Sequence, residues 1–208
     1  MNSREKGKRG ERQWRDELRA NGYAARRGQQ FSGSPDSPDV ICDALPWAHF
    51  EVKLAEQLNL YAAMDQARRD SGGRAAFVAH RQNFWPWLVS MDAERFYRFL
   101  RLDLTGDRAE RMASESPAVA CAGLRWLHCV VSEGKRLNID EAMAEAERSS
   151  ERERSEVGGQ RSEKVVVIAH RRPGGRWIFT VTAETFFRLL RGDFTGGNEV
   201  NDEGGATA

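Results

Sequence analysis

His49-Phe50-Glu51-Val52-Lys53-Leu54 alternates polar with apolar side chains, so that His49, Glu51 and Lys53 fall on one face and Phe50, Val52 and Leu54 on the other. That period predicts a strand with one apolar side. Upstream, Asp39-Val40-Ile41-Cys42 is a short apolar run bounded by Gly33, Pro35 and Pro38. It predicts a second strand with Asp39 at its mouth, returning through the loop at 43–47 to pair with the Glu51 strand. Asp39 and Glu51 are then placed to share a cation. Two carboxylates suit Mg²⁺ or Mn²⁺, which keep several waters and take further ligands from a phosphate. Lys53 reaches the same spot, where an ammonium can orient an attacking water and offset charge growing on a phosphoryl transition state. Each residue also has an ordinary reading: Asp after Pro is a common turn residue, and Glu-x-Lys on a strand face is commonly a solvated ion pair.

Glu11, Trp14, Arg15 and Leu18 recur at helical spacing, and Asn21-Gly22 supplies a stop. A glutamate early in this helix favours the helix dipole whatever else it does. Lys6, Lys8, Arg9, Arg12, Arg26 and Arg27, with Arg4 and Arg15, concentrate positive charge near the carboxylates. Phosphate contacts are the natural use of such a cluster.

With these pieces in order, the first half of the chain resembles the PD-(D/E)xK nuclease superfamily, and within it is similar to the archaeal-type Holliday-junction resolvases. The resemblance is carried by Lys8-Arg9-Gly10-Glu11-Arg12 opening a helix, Leu18-Arg19-Ala20-Asn21-Gly22-Tyr23 closing it, Ser32-Gly33-Ser34, Pro38-Asp39, Glu51-Val52-Lys53, and Ala67-Arg68-Arg69-Asp70-Ser71-Gly72-Gly73. It implies that Glu11, Asp39, Glu51 and Lys53 form the active-site set, with Glu11 completing the metal site of Asp39 and Glu51. It also implies that Ser34 is the loop serine near the scissile phosphate, with Ser32 and Ser37 close by. The family's glutamine early on the following helix corresponds to Asn59. A Mg²⁺-dependent endonuclease acting as a homodimer on branched DNA is the implied activity.

Composition narrows the class without deciding it. A net charge of +1 over 208 residues describes a protein of one or two domains, not a basic DNA-coating protein. No apolar run approaches a membrane span, and the polar N-terminus lacks a signal peptide's hydrophobic region; both predict a cytoplasmic protein with no membrane association. Cys42, Cys121 and Cys129 show no paired metal-ligand spacing and read as small buried apolar residues.

The region after Ser114 repeats the nuclease-like core. Ser37-Pro38-Asp39-Val40-Ile41-Cys42 aligns with Ser116-Pro117-Ala118-Val119-Ala120-Cys121, and Trp47-Ala48-His49-Phe50-Glu51-Val52-Lys53 with Trp126-Leu127-His128-Cys129-Val130-Val131-Ser132. Leu58-Asn59-Leu60 meets Leu137-Asn138-Ile139, and Arg69 meets Arg148 without a gap. Further on, Ala79-His80-Arg81 meets Ala169-His170-Arg171, Ala93-Glu94 meets Ala183-Glu184, and Thr105-Gly106 meets Thr195-Gly196. This collinearity predicts a duplicated unit of roughly eighty residues, enough for a modest core. In the copy Asp39 becomes Ala118, Glu51 becomes Val130 and Lys53 becomes Ser132, so no second active site is expected. The four histidines form matched pairs, His49 with His128 and His80 with His170, which points to scaffold roles.

Helices are expected over 54–69, closed by Gly72-Gly73, and after Ala93, where Phe96, Phe99 and Leu100 make an apolar stripe. Strands are expected over 75–79 and 87–91, and again over 165–169 and 177–181. Phe84, Trp85 and Trp87 can stack on unpaired bases, though packing is the commoner use of aromatics. The charge-alternating insertion at 149–162 reads as an excursion without fixed structure, and 197–208 as a disordered tail. The expected fold is therefore α/β: a restriction-endonuclease-like mixed sheet flanked by helices over 1–104, a linker at 105–114, and a degenerate copy over 115–196. A general repair or restriction-like nuclease and a non-catalytic DNA-binding module are the competing readings. A single active centre also permits an intramolecular pseudo-dimer in place of the homodimer.

Overall fold

The computed structural model describes residues 3–28, 38–100, 116–117, 121, 124, 126–134, 137–156 and 164–193. Helix α1 (Ser3–Ala20) leads into β1 (Ala25–Arg27), β2 (Val40–Cys42), β3 (Ala48–Leu54), α2 (Leu60–Asp70), β4 (Ala75–Arg81), β5 (Leu88–Asp92) and α3 (Ala93–Leu100). The second half supplies β6 (Leu127–Glu133), α4 (Ile139–Glu156), β7 (Val165–Arg171), β8 (Ile178–Thr182) and α5 (Ala183–Arg191). All eight strands form one mixed sheet in the order β1-β2-β3-β4-β5-β8-β7-β6. The β3–β4 and β6–β7 pairs are parallel and the other pairs antiparallel, with the expected β2–β3 pairing made through Val40 and Phe50.

The register of this sheet is symmetric about its centre. Val78 pairs with Ser90, and the matched residues Ile168 and Thr180 pair with each other. Lys53 lies opposite His80, just as Ser132 lies opposite His170. Between the halves, Ser90 faces Thr180, with Leu88 opposite Thr182 and Asp92 opposite Ile178, so the β5–β8 ladder reads alike from either strand. The connecting hydrogen bonds repeat too. Ala183 N–H donates to Trp87 O at 2.8 Å and Ala93 N–H to Trp177 O at 3.2 Å; Ala75 N–H reaches Trp47 O and Val165 N–H reaches Trp126 O, both at 2.8 Å. Asn59 and Asn138 each accept from a backbone N–H at the start of α2 and α4, capping donors that have no partner within the helix.

The two faces of the sheet carry different cores. On one, Trp14 and Leu18 of α1 and Phe96 of α3 share a cluster with Phe186 and Phe187 of α5, over Phe50, Phe77 and Phe179. Trp14 is fully buried, 5.7 Å from Phe50 and 5.9 Å from Phe187 between ring centroids. The described parts of both halves thus share their largest core, and the burial of such large rings dominates its stabilisation. On the other face α2 packs over Val78 and Ile178, and α4 over Ile168 and Leu88. Each helix covers a residue of the opposite half's central strand. Between them runs a polar seam of His80, Ser90 and Thr180.

Several local expectations need correction. Helix α1 starts at Ser3, so Lys8-Arg9-Gly10-Glu11-Arg12 lies inside it and Glu11 is too far from its N-terminus to serve the helix dipole. Leu54 ends β3, and the following helix starts at Leu60 because Asn59 caps it. A short strand, β1, occupies Ala25–Arg27 where none was read. The first part of the 149–162 insertion continues α4 to Glu156; residues 157–163 lie outside the described residues. Pro117 and Cys121 are helical, although their aligned counterparts Pro38 and Cys42 lead into and belong to the β2 region. Among the described residues the sheet therefore ends at β6 on that side. Phe84 is fully exposed with φ +66, where the aligned turn has Gly174 at φ +72, whereas Trp87 is buried in the core. The linker 105–114 and the tail 197–208 lie outside the described residues. Among the described residues no helix is long and apolar enough to cross a membrane.

Candidate active site

The site grows from β3. Its apolar residues Phe50, Val52 and Leu54 face α1, leaving Glu51 and Lys53 on the face covered by α2. Glu51 is only 6% exposed. Lys53 Nζ donates to Glu51 Oε1 at 2.6 Å and to Gln66 Oε1 at 3.0 Å. The ammonium is thereby held between a strand carboxylate and a side chain of α2, and loses much of the rotational freedom of an exposed lysine.

Asp39 reaches the same strand from the mouth of β2, where its Oδ2 accepts from Val52 N–H at 2.8 Å. Gly28 secures that approach. Gly28 N–H donates to Asp39 O at 2.9 Å, and a Cβ on Gly28 would stand 1.8 Å from Pro38 O. Gly28 must therefore lack a side chain for β1 to run against the Pro38-Asp39 backbone. Gly10 plays a related part on α1: a Cβ there would come within 3.2 Å of Leu54 Cβ, so glycine lets the helix lie close on β3 and brings Glu11 toward the carboxylates.

The electrostatics follow from this packing. The Asp39 carboxyl is raised to about 7, first by burial and then by the neighbouring Glu51, with a smaller push from Glu11, against the lowering pull of the Val52 N–H and of Lys53. Negative charge is crowded here beyond what Lys53 balances. Glu11 is engaged elsewhere: Arg27 donates to its Oε2 through Nε at 2.8 Å and Nη2 at 2.5 Å. Among the described residues no group of three or more His, Cys, Asp or Glu side chains closes into a metal-ligating cluster. Glu11 thus stands beside the Asp39–Glu51 pair as an ion-paired neighbour, and Arg27, expected to contact DNA, is its partner.

A hard divalent cation fits this donor set in one form: two crowded oxygen donors, Asp39 and Glu51, with the rest of the shell from water and phosphate, as Mg²⁺ accepts. The other basic residues lie on α1 and β1. Lys6 is 4.0 Å from Glu56, Lys8 3.3 Å from Glu5 and Arg26 3.8 Å from Asp43; Arg12 is exposed and Arg9 half-buried. Exposed ion pairs of this kind are weak, so they exchange readily for phosphate. Ser34, with Ser32 and Ser37, lies outside the described residues.

Sequence reasoning missed Gln66 and Gly28. The glutamine position was read at Asn59, which instead caps α2, while the amide that meets Lys53 sits further along the helix at Gln66. Gly28 follows the basic pair Arg26-Arg27 directly, and a glycine closing a short strand was the available signal. Two of the histidines link neighbouring strands: His80 Nε2 lies 3.0 Å from Ser90 Oγ and His170 Nδ1 3.0 Å from Ser132 O. Burial lowers the His80 pKa to about 3, so the ring is neutral.

Fold and site define an α/β protein with helices on both faces of a mixed sheet and a buried carboxylate–ammonium constellation at one side. Among solved structures the chain is similar to that of Hjc, a Holliday junction resolvase from the archaeal hyperthermophile Archaeoglobus fulgidus, at 27% identity over 39% of this chain and 73% of that one, with a TM-score of 0.32. No family model and no curated protein matches the chain.

Proposed function

We propose that the protein is a Mg²⁺-dependent DNA endonuclease (Mn²⁺ being the alternative metal) that hydrolyses phosphodiester bonds in branched DNA, with the Holliday junction as substrate. The observation that carries this reading is the convergence on β3 of a buried Glu51, its 2.6 Å partner Lys53, and Asp39 bound to the Val52 N–H. In the register-equivalent strand β6 the corresponding positions are Val130 and Ser132. Carboxylates and ammonium thus occupy one half of a symmetric frame, which is unexpected of a scaffold and expected of a reaction centre.

Asp39 and Glu51 would hold the cation, which when bound supplies Lewis-acid polarisation of the phosphate and a more acidic water. Lys53, steadied by Gln66, orients the attacking water and balances charge gathering on the phosphate oxygens. Glu11, clamped by Arg27, adds negative potential that favours cation entry, and Ser34 is the expected phosphate contact. Water attacks phosphorus in line and the bond to the 3′ oxygen breaks. The leaving oxygen takes a proton, so a 3′-hydroxyl and a 5′-phosphate remain.

The symmetric ladders support residues 115–196 as a degenerate copy of the restriction-endonuclease-like core in 1–104. They also favour the intramolecular pseudo-dimer over the homodimer, because the edge of β5 is taken by β8 of the same chain. One chain then makes one nick. The test is a labelled four-way junction with Mg²⁺, compared with flap, linear duplex and single-stranded DNA, using folded Asp39→Asn and Lys53→Ala alongside the natural sequence. Loss of cleavage in both variants is expected. Undiminished cleavage would remove these residues from the mechanism, and paired opposing cuts by a dimer would restore the homodimer.

A further inference from the structure

A cleft of about 450 Å³ opens where α2 of the first half meets the β7–β8 turn of the second; Asp39 and Glu51 do not line it, but it shares the helix that steadies Lys53. Its positive charge comes from four arginines, Arg68 and Arg69 on α2 and Arg172 and Arg176 on the turn, set against one lining carboxylate, Asp65. One of them is built into the wall and a second rests against it from the exposed turn. Arg68 is paired with Asp65 at 2.7 Å and with Asp92, and Arg172 lies 5.1 Å over the Tyr61 ring and 3.8 Å from Asp65. Arg69 and Arg176 are exposed and have no hydrogen bond or ion pair among the described residues. The turn keeps its backbone close through Gly175 N–H donating to Arg172 O at 2.8 Å, so side chains from the two halves meet across a fixed gap.

The symmetry of the sheet provides an internal comparison. The equivalent place is where α4 meets the β4–β5 turn, and there the aligned residues are Glu147 for Arg68, Gln82 for Arg172 and Pro86 for Arg176. Arg148, aligned with Arg69, is paired with Glu145 at 2.5 Å. Positive charge has thus been placed, or kept, in the cleft formed by the helix that serves the carboxylate centre. A structural need common to both halves would put it at both ends.

We propose that this cleft is a second phosphate-binding site for the DNA backbone, in which the inert half supplies Arg172 and Arg176 to hold DNA whose other part lies at Asp39 and Glu51. The proposal rests on the nuclease reading for what the DNA is brought to, and on its own geometry for the binding. Arg69 and Arg176, with the weakly paired Arg172, supply the exchangeable charge, and Arg68 the fixed field beside it. The degenerate copy would then act as a clamp for the working half.

The test is binding of a four-way junction without divalent metal, measured across salt concentrations for the full chain and for R69E/R176E. Neither arginine supports the fold through an ion pair, and thermal melting checks this. Each lost phosphate contact lowers the salt slope by about 0.9, so the double variant should lose about two units of slope and at least about tenfold in affinity. R148E, the same change on the mirror face, should bind like the natural chain. Equal loss in R148E, or no loss in folded R69E/R176E, overturns the cleft. Weaker binding by R69E/R176E in a chain that never cleaves DNA sinks the nuclease reading and leaves the clamp standing; absence of DNA binding by the natural chain overturns both.

Discussion

Ser90 Oγ lies 2.7 Å from Thr180 Oγ1 at the middle of the β5–β8 ladder, with His80 Nε2 3.0 Å from the same serine oxygen. These hydroxyls sit buried where the two halves join, and each satisfies the other. A buried polar pair costs little when both members are present and leaves an unsatisfied group when one is removed. It also resists a register slip, which would turn every side chain of the joint to the wrong face.

Thr180→Val should therefore destabilise the chain by about 1–3 kcal/mol, and Ser90→Ala by a similar amount. The double variant should cost less than the sum of the two, because the Thr180 hydroxyl that Ser90→Ala leaves unpaired is then gone, while His80 Nε2 loses Ser90 Oγ in both Ser90 variants alike. Urea denaturation of the four proteins reads the coupling. Additive losses would mean that the two hydroxyls do not act as a pair.

The second prediction concerns pH. The Asp39 carboxyl is raised from 3.8 to about 7 in the folded chain, chiefly by burial and then by Glu51. Between those values the folded protein keeps a proton that the unfolded chain has released, so stability falls as pH climbs through this window and levels off above it. Asp39→Asn keeps an oxygen for the Val52 N–H and removes the charge. At pH 8 the variant should be more stable by on the order of 2–4 kcal/mol, with the gain shrinking toward pH 4. Added Mg²⁺ should raise the melting temperature of the natural chain at pH 8 and leave the variant unmoved. A gain that does not vary with pH would contradict the crowded-carboxylate account.

Gly28→Ala tests the support beneath Asp39. Its Cβ would meet Pro38 O at 1.8 Å, so the Pro38-Asp39 backbone must move. A loss of about 1–3 kcal/mol in stability is expected from the overpacking. Cleavage should fall more than DNA affinity does, because what moves is a proposed metal ligand. Unchanged stability, measured by thermal melting, would show that β1 can give way without disturbing Asp39.

Gln66→Ala removes one of the two groups that hold the Lys53 ammonium. The turnover rate on a junction should fall about tenfold to a hundredfold through misplacement, while the dissociation constant for DNA stays put. Gln66→Glu, which keeps an acceptor oxygen, should recover most of the rate. A fall in binding instead of turnover would make Gln66 a DNA contact and not a positioning residue.

Much of this arrangement was legible along the chain. The alternation around Glu51 identified β3 and its two faces, and the Pro38-Asp39 run identified β2 and its pairing with that strand. The aligned His80 and His170 fall at equivalent register positions. These signals are local: side-chain period and turn residues act within a few positions of one another. Gln66 and Gly28, and the pairing of Arg27, escaped because the partners Lys53, Pro38 and Glu11 lie on other elements.

The sequence by itself determined the strands and helices of the central sheet and the apolar face of β3, and it placed Glu51 and Lys53 on that strand with Asp39 at the mouth of its neighbour. Tertiary structure alone decided that the two halves would share one sheet through Ser90 and Thr180, that Arg27 would take Glu11, and that Arg68 and Arg172 would meet across a cleft. The physical reason is range. Periodicity is enforced by the backbone over a few residues, whereas the joining of edges and the pairing of charges depend on which distant surfaces can be buried together.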